Sequence, residues 1–217
     1  MESTKLADWE ESGSQALISE PEQSRAARLI SLILMPPLVA VAALVALSSY
    51  LIAEPLPAMR VMVVSSLFMA VVPSLYIASL LRRQVIHGGI DLVLAQERLR
   101  PYVVSAISCT AGAVILILLA APAFIWALAL TYALAAVLMA IITPHWKISM
   151  HAAGTAMPAA ALLSVFGSRA LPAVLVVPLV CWARVHARMH TVTQVVAGAA
   201  LGGLIVWLNL TVFLPRL

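Results

Sequence analysis

"SMHAAGTAMPAAALLSVFGSRALPAVLVVPLVCWARVHARMH", residues 149–190, holds two apolar runs that are each too short to cross a lipid bilayer unaided. A span needs roughly 20 apolar residues to cover a hydrocarbon core about 30 Å thick. The runs at about 152–167 and 171–183 fall short, and the "GSRALP" break at 167–172 between them carries turn chemistry. They reach span length only if the polar residues at their outer ends, around Ser149 and Arg184, belong to the same helices. That reading recesses polar side chains below the lipid surface, where ionisable groups are costly and usually mark a site.

The rest of the chain agrees with a membrane setting. Of 217 residues, 63% are hydrophobic and 10% charged, whereas a soluble domain is nearer half apolar and a quarter charged. The mean hydropathy is +1.05. That much apolar surface does not fit inside one water-soluble core, so the expected class is an all-α, polytopic membrane helical bundle with six or seven transmembrane segments. Five further runs lie at about 29–53, 59–81, 102–120, 123–143 and 191–213, with turn chemistry at "EPLP" (54–57) and "AAPA" (120–123). Seven crossings is the preferred count and six the alternative. Residues 1–27 are polar and acid-rich and do not read as a signal peptide, which would place basic residues before an apolar stretch. They read as an N-terminal tail, part of which can form a short helix, ahead of a membrane-embedded domain at 28–217. Cys109 and Cys181 sit in apolar runs without CxxC spacing, so neither a disulfide nor a metal pair is expected. The net charge of +4 comes from scattered basic residues, and nucleic acid is not an expected partner.

With seven crossings, one face receives the tail and the loops 82–101, 144–151 and 184–190. All five histidines fall there, as do ten of the thirteen Lys and Arg residues, leaving Arg60, Arg169 and Arg216 opposite. The positive-inside rule makes the histidine face cytoplasmic. Setting aside the four basic residues best placed to hold an anion, the count is still six against three.

That face carries three polar stretches, each separated from the next by two crossings: "DLVLAQERLRP" (91–101), "HWKISMHAAG" (145–154) and "ARVHARMHTVTQ" (183–194). Singly, each has a structural explanation. Arg98 and Arg100 can anchor a helix start, Lys147 can snorkel to the interface, and Ser149 can cap a helix. The joint pattern asks for a common cause.

These stretches resemble the three signatures of the type-2 phosphatidic-acid phosphatase superfamily, integral membrane enzymes that hydrolyse lipid phosphates and diphosphates. The family pattern is Lys-x6-Arg-Pro, then Pro-Ser-Gly-His, then Ser-Arg-x5-His-x3-Asp. The third stretch is closest here: Arg184, five residues, His190, three residues, and Gln194 in place of Asp. The second survives as "ISMH", with Ser149 and His151 in place. The first keeps Arg100-Pro101, with Val93 at the Lys position; in the register ending on Arg98, Asp91 stands there instead. "HTVTQVVAG" at 190–198 is similar to the dolichyl- and polyprenyl-diphosphate phosphatase branch, which implies an isoprenoid phosphate or diphosphate substrate held among membrane lipids.

The resemblance implies a catalytic set of His190, His151 and Gln194. His190 would attack phosphorus and form a phosphohistidine, and His151 would act as general acid and then base. Gln194, one helical turn along, would set the His190 tautomer through the other ring nitrogen. Arg184, Ser149, Lys147 and one of Arg98 or Arg100 would hold the phosphoryl oxygens. No cofactor is required, although Asp91 with Glu97 leaves open a Mg²⁺ bridging a diphosphate. A glycerolipid phosphatase, a head-group phosphotransferase through the same intermediate, and a non-catalytic lipid-phosphate binder are the alternatives. Gly198, Gly202 and Gly203, with Ala199 and Ala200, are expected to form a small-residue helix interface. Pro36-Pro37, Pro73, Pro158 and Pro178 are expected kinks.

Overall fold

A computed structural model of the chain describes residues 23–85 and 95–213, with side chains for 25–85 and 98–210. Among the described residues the secondary structure is helical throughout: α1 (Gln23–Ile33), α2 (Pro36–Leu51), α3 (Pro55–Ser66), a π-helical turn (Leu67–Val71), α4 (Val72–Arg82), α5 (Ala95–Leu118), α6 (Ala123–Ile142), α7 (Met150–Phe166), a 3₁₀ turn (Gly167–Ala170), α8 (Leu171–His186) and α9 (Val192–Phe213). Six stretches are long and apolar enough to cross a membrane: Arg25–Leu51, Pro55–Arg82, Arg98–Leu118, Ala123–Ile142, Met150–His186 and Val192–Leu210. Large apolar side chains such as Leu118, Leu175, Ile107 and Leu75 point outward, as a lipid-facing surface requires.

The stretch from Met150 to His186 is not one rod. The backbone N–H of Ser149, at the start of α7, donates to the Gln194 carbonyl in the first turn of α9. The N–H groups of Met189 and His190 donate back to the Arg184 carbonyl near the end of α8. Both ends of the stretch therefore lie beside the start of α9, and α7 and α8 form an antiparallel hairpin. Its tip is Gly167, whose φ of +56° suits glycine, with open space around its missing side chain. The arms have 17 and 16 residues, about 25 Å each at a rise of 1.5 Å per residue, less than a full hydrocarbon core. At the open end of the hairpin Ser149 and Arg184 are both buried within the bundle.

Helix α7 lies at the centre, packed on α2, α8 and α9. A Cβ at Gly198 would run into the Ser149 carbonyl, and one at Gly202 would run into the Ala153 backbone. These two glycines let α9 lie directly on the first turn of α7, as the small-residue reading anticipates. Gly203 does not take part, because nothing lies near its missing Cβ. A third glycine of close approach, Gly154, receives the Pro36 ring, 2.7 Å from where a Cβ would stand, which pins the α1–α2 junction to α7.

Two apolar clusters hold the bundle. The larger, with Leu47, Leu116, Ile125, Leu128 and Val206, fills the half away from the α7 start. The smaller joins Tyr102, Met139, Ile148 and Ala153 to Ala197 and Leu201 beside it. Among the expected kinks, Pro158 and Pro178 lie inside helices and Pro73 is the second residue of the helix after the π-helical turn. Ser108 donates to the Phe68 carbonyl at 2.7 Å, satisfying a main-chain group in that widened turn where lipid offers no partner. Pro36 and Pro37 instead begin a helix, as residues without a useful N–H do well. Helix α1 starts at Gln23, within the N-terminal stretch where a short helix was expected, and most of it falls in the first membrane-length stretch, Arg25–Leu51.

Candidate functional site

The 184–190 turn is built to bring two residues together. Helix α8 stops at His186, and Arg188 takes a left-handed conformation, φ +54°. The chain then folds back far enough for the His190 N–H to reach the Arg184 carbonyl at 3.3 Å. Six positions of sequence separation become neighbours without a long loop.

His190 meets Gln194 directly, with Nδ1 3.2 Å from Oε1. The same oxygen accepts the Thr191 backbone N–H at 3.1 Å, and the Gln194 N–H lies 3.4 Å from Thr191 Oγ1. This is a capping box, Thr-x-x-Gln, in which two helix-start donors are satisfied reciprocally. It was legible as "TVTQ" but absent from the reading above. The box also fixes the chemistry of His190. A backbone N–H only donates, so the amide atom facing it is the oxygen, and Nδ1 meeting that oxygen must carry a proton. Nε2 is left with the lone pair, the state a nucleophile needs.

Burial and nearby charge keep the ring neutral. The His190 pKa is pushed down to about 4, first by burial, then by the positive charges of Arg184 and Lys147, with Arg98 adding to them and the Gln194 hydrogen bond opposing. The ring is therefore neutral across the physiological range. The three polar stretches converge as expected, each sending a cation toward His190. Arg98 and Arg184 are buried and Lys147 is half-buried. Of the two candidate arginines in the first stretch, Arg98 is the one at the site, and Arg100 is exposed. Asp91 lies outside the described residues, as does the Glu97 side chain, and the Mg²⁺ reading rests on those two. Among the described residues, no three His, Cys, Asp or Glu side chains group as a metal site.

Ser149 is wholly buried and caps α7, its Oγ accepting from the Ala152 N–H at 3.4 Å. That places His151 in the first helical turn, where backbone N–H groups and the helix dipole favour an anion. His151 is buried, and the Thr155 hydroxyl ties its carbonyl at 2.7 Å. His151 and Arg184 line a cavity of about 380 Å³. The remaining walls include Met189 and, from the N-terminal region, Arg28, Ser31, Leu32 and Met35. Arg184 thus belongs both to this cavity and to the charges around His190.

Arg28 and Ser31 were missed in the sequence. Their signal is the period of polar residues Ser24, Arg28 and Ser31, which marks one face of a helix. The opposite side of α1 exposes Leu29 and Ile33, as in a helix lying at a membrane interface. Next to the cavity, an apolar groove of about 130 Å³ runs along α7, its lining including Pro36, Pro37, Met150, Gly154, Met157 and Tyr132. Cavity and groove adjoin at two places in sequence, Met35 to Pro36 and Met150 to His151. Comparison with family models, curated proteins and solved structures finds no match for this chain.

Gln194 Oε1 both accepts from the His190 ring and caps the start of α9, and substitutions separate the two. Gln194→Ala is expected to lower the melting temperature by an amount equivalent to about 1 kcal/mol, from loss of the cap. On the phosphatase activity proposed below, it is also expected to cut kcat on the order of 10²- to 10⁴-fold, from loss of the tautomer partner. Gln194→Glu keeps both acceptor functions and adds negative charge. On the phosphatase activity proposed below, it should retain most activity and move the acid limb of the kcat/KM pH profile upward, because the added negative charge raises the lowered His190 pKa. Unchanged turnover in Gln194→Ala would reduce the residue to a cap.

Proposed function

We propose that the protein is an integral membrane lipid phosphatase acting on an isoprenoid phosphate or diphosphate through a phosphohistidine at His190. The observation that carries this reading is the neutral, tautomer-fixed imidazole of His190 set against three cations from three separate polar stretches. A neutral imidazole amid positive charge is poorly suited to binding a cation and well suited to attacking an anionic electrophile. The resemblance of Arg184, His190, Ser149 and His151 to the type-2 phosphatidic-acid phosphatase signatures supports the same assignment.

In this mechanism Arg98, Lys147 and Arg184 hold the phosphoryl oxygens and offset their charge as the phosphorus becomes five-coordinate. The Nε2 lone pair of His190 forms the N–P bond while the P–O bond to the leaving group breaks. The electron pair passes to the leaving oxygen, which takes a proton from His151. A water then loses its proton to His151 and attacks phosphorus. The N–P bond breaks, its electron pair returns to Nε2, and phosphate is released. Gln194 holds Nδ1–H throughout and stabilises the ring when it carries the phosphoryl group. The apolar groove beside the cavity supplies a place for the isoprenoid chain, with Met and Pro side chains suited to irregular, methyl-bearing surface. The chemistry needs no metal.

Purified protein in detergent should release phosphate from a prenyl diphosphate or prenyl monophosphate faster than from phosphatidic acid. His190→Ala and His151→Ala should each abolish release while leaving the melting temperature near that of the wild type. More than a few per cent of residual activity in His190→Ala would remove the covalent mechanism, and transfer of phosphate to an acceptor lipid without free phosphate would indicate a phosphotransferase.

The histidine face is, in the same proposal, cytoplasmic, on the ten-to-three bias of basic residues. In a chain carrying Cys109→Ala, Cys181→Ala and His87→Cys, an impermeant maleimide should leave intact cells unlabelled and label opened ones. Labelling of intact cells would reverse the orientation and place the site outside.

A further inference from the structure

The cavity reaches well past the residues that the phosphoryl-transfer reading uses. Its far wall comes from α1, where Arg28 and Ser31 stand one helical turn apart and face His151 and Arg184 across the space. Ser31 is 94% buried, and its Oγ has no hydrogen-bond partner among the described residues. A buried hydroxyl without a partner is costly and calls for a ligand or ordered water. Arg28 brings to the same wall a guanidinium, whose paired donors fit phosphate oxygens.

We propose that Arg28 and Ser31 form a second anion subsite, next to the one around His190, so that the site takes two linked phosphates, that is, a lipid diphosphate. The proposal rests on the phosphatase reading for its reaction but on the α1 wall for its content. Arg184 is shared between the two subsites, and His151 lines the one beside α1. That order suits a diphosphate whose terminal phosphorus is attacked by His190. The bridging oxygen then leaves on the inner phosphate and receives its proton from His151, while Arg28, Ser31 and Arg184 hold that inner phosphate. The products are a lipid monophosphate and, after hydrolysis of the phosphohistidine, inorganic phosphate. The inner phosphate sits beside Met35, where the apolar groove begins at Pro36, so the lipid chain continues from it without crossing the charged residues. A monophosphate would leave the α1 wall unused.

The test uses two soluble probes, methylenediphosphonate, whose P–C–P link cannot be hydrolysed, and orthophosphate. Their affinities for the full-length protein in detergent are compared by calorimetry. The wild type should bind methylenediphosphonate at least about tenfold more tightly than orthophosphate, as one added charge-assisted contact warrants. Arg28→Gln should remove most of that ratio, and Ser31→Ala part of it, with orthophosphate affinity held within about twofold. Arg184→Gln should weaken both probes. No preference in the wild type, an unchanged ratio in both α1 variants, or an equal loss for both probes would each overturn the second subsite. Hydrolysis of prenyl phosphates without the preference would leave the proposed function standing and the subsite refuted. An Arg28-dependent preference in a protein that releases no phosphate would do the reverse.

Discussion

The site depends on how closely α9 lies against the first turn of α7. Gly198 and Gly202 remove the side chains that would hold the helices apart, and the Ser149 N–H then reaches the Gln194 carbonyl at 3.2 Å. That hydrogen bond joins the second polar stretch to the third. It seats the His151 turn beside the Thr191–Gln194 cap, and the cap in turn orients His190. Any residue with a Cβ at position 198 would press on the Ser149 carbonyl, and the two histidines would separate together. Close contact through glycine is a common way for membrane helices to associate, since lipid gives them little hydrophobic reason to do so. Here the same contact also assembles the chemistry.

The second constraint is electrostatic. Arg98 and Arg184 are nearly inaccessible, and with Lys147 they surround a ring whose own charge they suppress. Concentrating cations at membrane depth is unfavourable unless an anion completes the set. On the proposed function a phosphoryl group would do so, and it would meet the neutral imidazole of His190. Under that proposal, substrate binding and nucleophile activation would have one cause. The two arms of the α7–α8 hairpin bring Ser149 and Arg184 to the same end of the bundle, where both are buried.

Much of this was legible in the sequence, for identifiable reasons. The hairpin followed from run length and the "GSRALP" break, and the His190–Gln194 pair from i, i+4 spacing. Convergence of the three stretches followed from counting crossings. Other features depended on packing that no local pattern encodes. Arg98 and Arg100 are two residues apart on one helix start, and only the rotation of α5 decides which is buried. Gly203 reads like Gly202 but faces away from α7. Arg28 and Ser31 were overlooked because the apolar run begins among them and hides a polar face. Pro36-Pro37 stands at the break between α1 and α2, inside one membrane-length stretch.

The central claim is that His190 becomes covalently phosphorylated during turnover. It is tested most directly by rapid acid-free quenching of the protein with prenyl diphosphate labelled at its terminal phosphate, followed by peptide mapping. The account predicts a transient, acid-labile and alkali-stable label on the peptide containing residues 189–194, located at His190 and absent in His190→Ala. Phosphate release at full rate with no trapped label, or a label on any other side chain, would contradict it.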